Sequence, residues 1–325
     1  MKAILCKTYG LPSTLVLEEL ESPQPKEKEI LVTLKACGVN FPDTLIIQGL
    51  YQFKPALPFT PGSDIAGIVK AVGEGVKHIK VGDEVFGFVT HGGFAEEVIV
   101  PSNACFLKPK GMDFPTAASF MMAYGTSYHA LKDRALLKEG ETLLVLGASG
   151  GVGLAAVELG KLMGAKVIAA ASSDDKLALC KEYGADETLN YNTEDMKMRL
   201  KELTNGKGVD VVYDPVGGNY TEGALRSMAW EGRFLVVGFA AGDIPKIPLN
   251  LALLKGCSIV GVFWGGFAMK TPQKNLQNTI ELMQWYSEGK LKPHIHAVYP
   301  LADAPKALEE MMNRRVKGKI VIGMG

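Results

Sequence analysis

Residues 142–153 read Thr-Leu-Leu-Val-Leu-Gly-Ala-Ser-Gly-Gly-Val-Gly, an apolar run that breaks into small residues before a helical pattern resumes. From Ala148 the turn gives Ala-x-Gly-x-x-Gly, the spacing with which a strand–turn–helix unit takes a dinucleotide, with Ala148 in place of the first glycine. Gly150 lets the backbone approach a pyrophosphate, and Gly153 lets the helix lie close on the strand. Ser149, Gly150, Gly151 and Val152 then present helix-start N–H groups to the phosphates. The end of the next strand sets the ribose chemistry, because an acid there accepts hydrogen bonds from the sugar and repels a 2′-phosphate. Here the strand at 166–171 ends in Ser172 and Ser173. Asp174 and Asp175 come late and suit the first turn of a helix running to Tyr183, where carboxylates meet free N–H groups and the positive dipole end. His294 and His296, two apart on a presumed strand, lack a third metal ligand nearby and read as solvated strand histidines.

The elements around this turn repeat a β-α-β rhythm. A helical pattern runs from Leu154 to Gly164, and apolar runs at 166–171, 209–213, 233–237 and 258–263 alternate with helices near 194–203 and 220–229. That repetition predicts a doubly wound parallel sheet. Before residue 123 the texture differs: strands near Ile4 and at 30–36, 65–72, 85–88 and 94–100 are separated by short glycine turns, which predicts a barrel-like β domain. Pro55, Pro58 and Pro61 mark an irregular loop suited to lining a cleft. After Gly266 come an amphipathic helix at 276–287 and a final strand at 319–322. The expected division is 1–122 with 267–325 for the β-rich catalytic domain and 123–266 for the nucleotide-binding domain inserted into it, with a cleft between the two.

Composition narrows the function classes. Lys plus Arg equals Asp plus Glu at 35 each, and no basic stripe or aromatic run suggests nucleic acid or an anionic membrane as partner. Five scattered cysteines with no Cys-x-x-Cys pair suit reduced thiols, and the start of the chain reads as a strand, not a signal peptide. The longest late apolar run, 257–269, is too short to span a bilayer. A cytoplasmic location is expected.

Six stretches together carry a resemblance: Gly38-Val-Asn-Phe-Pro-Asp43, Pro61-Gly-Ser-Asp-Ile-Ala-Gly67, Val81-Gly-Asp-Glu-Val85, the turn at 147–153, Val212-Tyr-Asp-Pro-Val-Gly217 and Gly318-Lys-Ile-Val321. The chain resembles, over nearly its whole length, the zinc-free NADPH:quinone oxidoreductases of the medium-chain dehydrogenase/reductase family. The resemblance implies a Rossmann domain inserted in a GroES-like β-rich domain. Zinc-dependent relatives place Cys where this chain has Asn40 and His where it has Ser63, and neither replacement is a good zinc ligand; the cysteine cluster of their structural zinc is also missing. No metal is expected. The resemblance further implies NADPH as cofactor, with Ser172, Lys176, Tyr191 and Arg314 at the 2′-phosphate end; Arg315 could substitute for Arg314. It places Asn40, Thr126, Phe239, Phe263 and Gly265 at the nicotinamide end, and Tyr51 beside the substrate.

The expected reaction is hydride transfer from NADPH to a quinone or a similar electron-poor conjugated carbonyl. Asn40 and Tyr51 are the candidates for polarising the carbonyl, and Thr126 completes the catalytic set. The alternative is an enoyl or alkenal reductase, and a third reading is a non-catalytic NADPH-binding protein. The run Ser258-Ile-Val-Gly-Val-Phe-Trp264 should end the cofactor sheet as an apolar, uncharged edge. It either pairs with its copy across a homodimer, as the resemblance suggests, or lies under the helix at 276–287.

Overall fold

The computed structural model describes residues 1–325, which form two compact units: Met1–Met122 with Pro293–Gly325, and Ala123–Lys292. Along the first unit run β1 (Lys2–Leu5), β2 (Val16–Glu19), β3 (Glu29–Val39), helix α1 (Phe41–Ile46), β4 (Asp64–Val72), β5 (Glu84–Phe88), β6 (Glu97–Pro101), β7 (Cys105–Leu107) and the single turn α2 (Phe114–Ala117). The second unit contains α3 (Met121–Tyr128), which begins at its border and continues as a π-helical turn over His129–Arg134. There follow β8 (Thr142–Leu146), α4 (Gly151–Leu162), β9 (Lys166–Ala171), α5 (Asp174–Glu182), β10 (Glu187–Asn190), α6 (Met196–Leu203), β11 (Val209–Asp214), α7 (Tyr220–Arg226), β12 (Met228–Val236), α8 (Asn250–Lys255), β13 (Ser258–Gly261), α9 (Trp264–Lys270) and α10 (Pro272–Ser287). The chain returns to the first unit through β14 (Ile295–Pro300), α11 (Ala304–Met312) and β15 (Lys319–Gly323).

In the second unit all six strands pair in parallel in the order β10-β9-β8-β11-β12-β13. Chain order reverses between β8 and β11, the switch point beside which a doubly wound sheet takes its ligand. Helices on both faces exclude water from the strands, and Leu143, Leu144, Val145 and Leu146 of β8 are fully buried. The first unit is antiparallel except for the β14–β15 pair. Its β3 is the hub, paired with β4, β6 and β15, and Ile30, Val32, Leu34, Ile65 and Ile320 are buried in one core with α11.

Two boundaries differ from the sequence expectation. The stretch 267–292 belongs to the second unit: the Tyr128 hydroxyl donates to Glu281 at 2.6 Å, Lys132 Nζ donates to Asn278 at 3.0 Å, and Asn278 donates to Asp133 at 2.8 Å. The return to the β-rich unit therefore comes after Lys292. These bonds fix α10 on α3 and the π-turn, so it does not cover β13, where Ser258, Ile259 and Gly261 stay exposed. The apolar run at 258–263 also stops being strand at Gly261, and Phe263 becomes the N-cap of α9.

Candidate functional site

In the second unit β8 ends at Leu146, and Gly147 turns the chain at φ +57°. Gly150 N–H donates to Gly147 O at 3.0 Å and caps α4, whose first helical bond is Leu154 N–H to Gly150 O at 2.8 Å. The N–H groups of Gly151, Val152 and Gly153 thus have no acceptor inside the helix and are available to an anion. The glycine roles are directly visible. A Cβ on Gly153 would lie 2.2 Å from Gly147 O, whereas one on Gly150 would meet only that oxygen, at 3.4 Å, and otherwise project into open space. Gly153 therefore serves close packing and Gly150 leaves room for a ligand. Ser149 is buried, and Ser127 on α3 anchors the first turn of α4 by donating to Val152 O at 2.7 Å.

The far end of this face is a polar cluster after β9. Lys176 Nζ donates to Ser172 Oγ at 3.1 Å, and Asn192 Nδ2 donates to Ser172 O at 2.8 Å. Asn190 Nδ2 holds Asp174 Oδ1 at 2.7 Å, and Ser173 Oγ donates to Asp175 Oδ1 at 2.5 Å. Tyr191 packs its ring on Tyr220 with centroids 4.3 Å apart. Ser172, Lys176 and Tyr191 are thus neighbours around one strand end. After β11, buried Asp214 orders the next loop by accepting from Val216 N–H at 2.9 Å, Gly217 N–H at 2.8 Å and the Thr221 hydroxyl at 2.7 Å. Phe239 packs against that loop, so a Cβ on Gly217 would lie 2.9 Å from its ring. Burial raises the Asp214 carboxyl, and those three donors pull it back.

Thr126 is buried on α3. One residue before it, Gly125 has no side chain because the Trp264 indole lies where a Cβ would be, 2.8 Å away. Trp264 is itself fixed by Nε1 donating to Asn275 Oδ1 at 3.0 Å. This contact sets Phe263, which is 57% exposed, and Gly265 at the start of α9.

The first unit holds a separate buried cluster. Asn40 caps α1 and its N–H donates to Asp43 Oδ2 at 2.8 Å. Its side-chain amide donates to Asp64 Oδ2 at 3.2 Å and to Gly38 O at 3.4 Å, and its Oδ1 accepts from Lys319 Nζ at 2.5 Å. Lys319 also donates to Val39 O at 3.1 Å and lies 3.5 Å from Asp64. Met122 N–H donates to Asp64 Oδ1 at 3.1 Å, and Ser63 Oγ donates to Asp43 Oδ1 at 3.4 Å. Two carboxylates and one ammonium therefore share a site from which water is nearly excluded. Burial lifts the Asp43 carboxyl to about 7, while Asn40 N–H and Lys319 pull it down and Asp64 pushes it up. Asp64 is raised by burial and lowered by Lys319 and Asn40. Tyr51 is half-buried nearby, and burial, then the Asp43 charge, raise its phenol and keep its proton on.

Lys319 escaped the sequence reading as a site residue, although the Gly318-Lys-Ile-Val321 stretch contains it. A lysine beside a glycine normally reads as solvated. The amide of Asn40 differs from its expected role, since both its hydrogens are committed to Asp64 and Gly38 O. A zinc ion does not fit these residues. Asn40 and Ser63 offer an amide and a hydroxyl, the Asp43 and Asp64 carboxylates beside them are engaged by Asn40, Ser63 and the Lys319 ammonium, and nowhere do three His, Cys, Asp or Glu side chains converge to hold a metal. Of the two histidines considered earlier, His294 precedes β14 and His296 lies in it, exposed. Arg314 follows α11 at φ +57°, while Arg315 lies 3.4 Å from Glu310.

A glycine turn heading a sheet of order β10-β9-β8-β11-β12-β13 defines a Rossmann-type dinucleotide-binding protein, here in one chain with a mainly antiparallel β-rich unit. The alcohol dehydrogenase GroES-like domain matches residues 26–110, and the zinc-binding dehydrogenase domain matches residues 151–285. The quinone oxidoreductase-like protein 2 homolog of Nematostella vectensis is 40% identical over 325 residues, covering 99% of this chain and 88% of that protein. Among solved structures, the quinone oxidoreductase of Escherichia coli complexed with NADPH superposes with a TM-score of 0.94 at 32% identity, covering both chains in full. CurK enoyl reductase superposes with a TM-score of 0.91 at 28% identity, over 100% of this chain and 99% of that one. The chain belongs to the medium-chain dehydrogenase/reductase family, with the quinone oxidoreductases among its relatives.

Proposed function

We propose that this chain is an NADPH-dependent reductase whose acceptor is a quinone or a similar electron-poor conjugated carbonyl. The observation that carries the reading is the full-length likeness to a quinone oxidoreductase complexed with NADPH, together with the chain's own open turn at Gly150 and the lysine seated at Ser172. The open space at Gly150 and the lysine at Ser172 suit the cofactor's phosphates. Ser149, Gly150, Gly151 and Val152 would hold the pyrophosphate, Ser172, Lys176, Tyr191 and Arg314 the 2′-phosphate, and Asn40, Thr126, Phe239, Phe263 and Gly265 the nicotinamide end. When bound, NADPH supplies a hydride, and the protein's task is alignment and exclusion of water.

No metal enters the reaction in this reading, so a developing oxyanion needs hydrogen-bond donors. Tyr51 retains its phenolic proton and is the stronger candidate. Asn40 supports the site by holding Lys319 and Asp64, since its amide hydrogens are engaged. The likeness to CurK enoyl reductase supports the second reading, an enoyl reductase acting on an α,β-unsaturated carbonyl or thioester. Oxidation of NADPH followed with benzoquinones, naphthoquinones, enones and enoyl thioesters ranks the two. Turnover confined to the thioesters would overturn the quinone reading, and tight NADPH binding with no turnover would point to the non-catalytic one.

Two further parts of the proposal concern assembly and location. The unpaired edge of β13, with Ile259 39% exposed on it, suits pairing with the same strand of a second copy. A cytoplasmic location is supported by five unpaired cysteines. No helix is long and apolar enough to cross a membrane.

A further inference from the structure

Two carboxylates stand at the first turn of α5, where they would repel a 2′-phosphate, in a chain that otherwise offers that phosphate a lysine. The structure shows what occupies them. Asp175 accepts from the Ser173 hydroxyl, and Asp174 Oδ1 accepts from Asn190 Nδ2 at 2.7 Å. Asn190 is 7% exposed at the end of β10, paired in register with Ala171, the last residue of β9. Its orientation is over-determined. Oδ1 accepts from Asn192 N–H at 3.1 Å, its own N–H donates to Glu194 Oε2 at 2.6 Å, and its carbonyl accepts from Thr193 and Glu194 N–H at 3.1 and 2.9 Å. With Oδ1 fixed as acceptor, the amide can present only donors toward α5. A carboxylate facing that amide is held, whereas an unheld one would sample the strand end where Lys176 meets Ser172.

We propose that Asn190 is a specificity-determining positioning residue: by tethering Asp174 it keeps that carboxylate from acting as the ribose acceptor that favours NADH, and leaves the Ser172–Lys176 end to a 2′-phosphate. The proposal rests on the NADPH reading and adds a residue that does not itself touch the phosphate. A carboxylate released to within a few ångströms of a group carrying about −1.5 to −2 charge should weaken NADPH by about fivefold to tenfold in water.

Equilibrium dissociation constants for NADPH and NADH, measured by fluorescence on the intact protein, test it without turnover. Asn190→Ala should raise the NADPH constant about fivefold to tenfold while NADH changes less than about threefold. Asp174→Asn placed in the Asn190→Ala background should return NADPH to within about threefold of wild type, and Asp174→Asn alone should shift it by less than that. Equal weakening of both cofactors by Asn190→Ala, or no rescue in the double variant, overturns the proposal and makes Asn190 a purely structural residue. If Asn190→Ala does not fold, Asp174→Asn alone decides: a gain in NADPH affinity of threefold or more means the charge is already felt and the tether does nothing. Wild-type protein that binds NADH as tightly as NADPH instead sinks the cofactor reading before any variant is compared.

Discussion

Replacing Lys319 by Met tests the buried cluster of the β-rich unit most directly. The methionine keeps the length and apolar stem of the side chain and removes only the ammonium, which donates to Val39 O and Asn40 Oδ1 and lies 3.5 Å from Asp64. Asp64 is 1% exposed and keeps only Met122 N–H and the Asn40 amide. Breaking a buried pair by deleting one partner costs about 3–5 kcal/mol, because the other charge stays behind uncompensated. The loss must depend on pH. The Asp43 carboxyl, at about 7 in the fold, lies above the roughly 3.9 of an unfolded chain, so its contribution is fully present below pH ~4 and is lost as pH rises through 7. Lys319 lowers both Asp43 and Asp64, so removing it lifts both and moves that loss to higher pH. The variant should therefore be about 3–5 kcal/mol less stable than wild type at pH 8 and distinctly closer to it at pH 5. All three tryptophans, Trp230, Trp264 and Trp285, lie in the other unit and would not report this one. Amide exchange protection on β3 and β15 reads the β-rich unit itself. Asp64→Asn in the Lys319→Met background should recover much of the loss at pH 8. Equal protection of wild type and Lys319→Met at pH 8, or no recovery in the double variant, would refute the electrostatic account of the cluster.

Four other outcomes are expected. Lys176→Ala and Arg314→Ala should each cost about 1–3 kcal/mol in NADPH binding and leave NADH little changed; equal weakening of both in titrations would remove these residues from the 2′-phosphate. Purified protein should hold no stoichiometric zinc, and chelators should leave turnover intact, because Asn40, Ser63 and the Lys319 ammonium make no zinc site; one zinc per chain in elemental analysis contradicts this. Gly153→Val should abolish dinucleotide binding or destabilise the sheet unit, since even its Cβ would lie 2.2 Å from Gly147 O; a variant with wild-type melting and binding would show that the turn has slack. Light scattering at micromolar concentration should give a dimer mass, and Ile259→Pro, which removes a donor on the open side of β13, should halve it; a monomeric wild type or an intact dimer in the variant refutes pairing through β13.

The sequence by itself determined what depends on neighbours along the chain. The spacing of Ala148, Gly150 and Gly153 specifies a tight turn because a Cβ at Gly153 cannot pass Gly147 O, and the β-α-β rhythm specifies a parallel sheet because each crossover helix must bury its apolar face on it. Ser172 and Lys176 were singled out by the family resemblance, and in the fold the lysine donates to the Ser172 hydroxyl at 3.1 Å. The tertiary structure alone decided the rest. Amphipathic periodicity at 276–287 shows that a face is buried but not against what; only the bonds of Asn278 and Glu281 to α3 and the π-turn assign α10 to the nucleotide unit. Lys319 meets Asn40 across 279 positions of sequence, and Asn190 reaches Asp174 across 16. A polar side chain at such a distance carries no periodic signal of its partner. Whether it is solvated or locked in a dry cluster is fixed by which strands pair, and β15 lies against β3 in a register that sets Ile320 beside Val39.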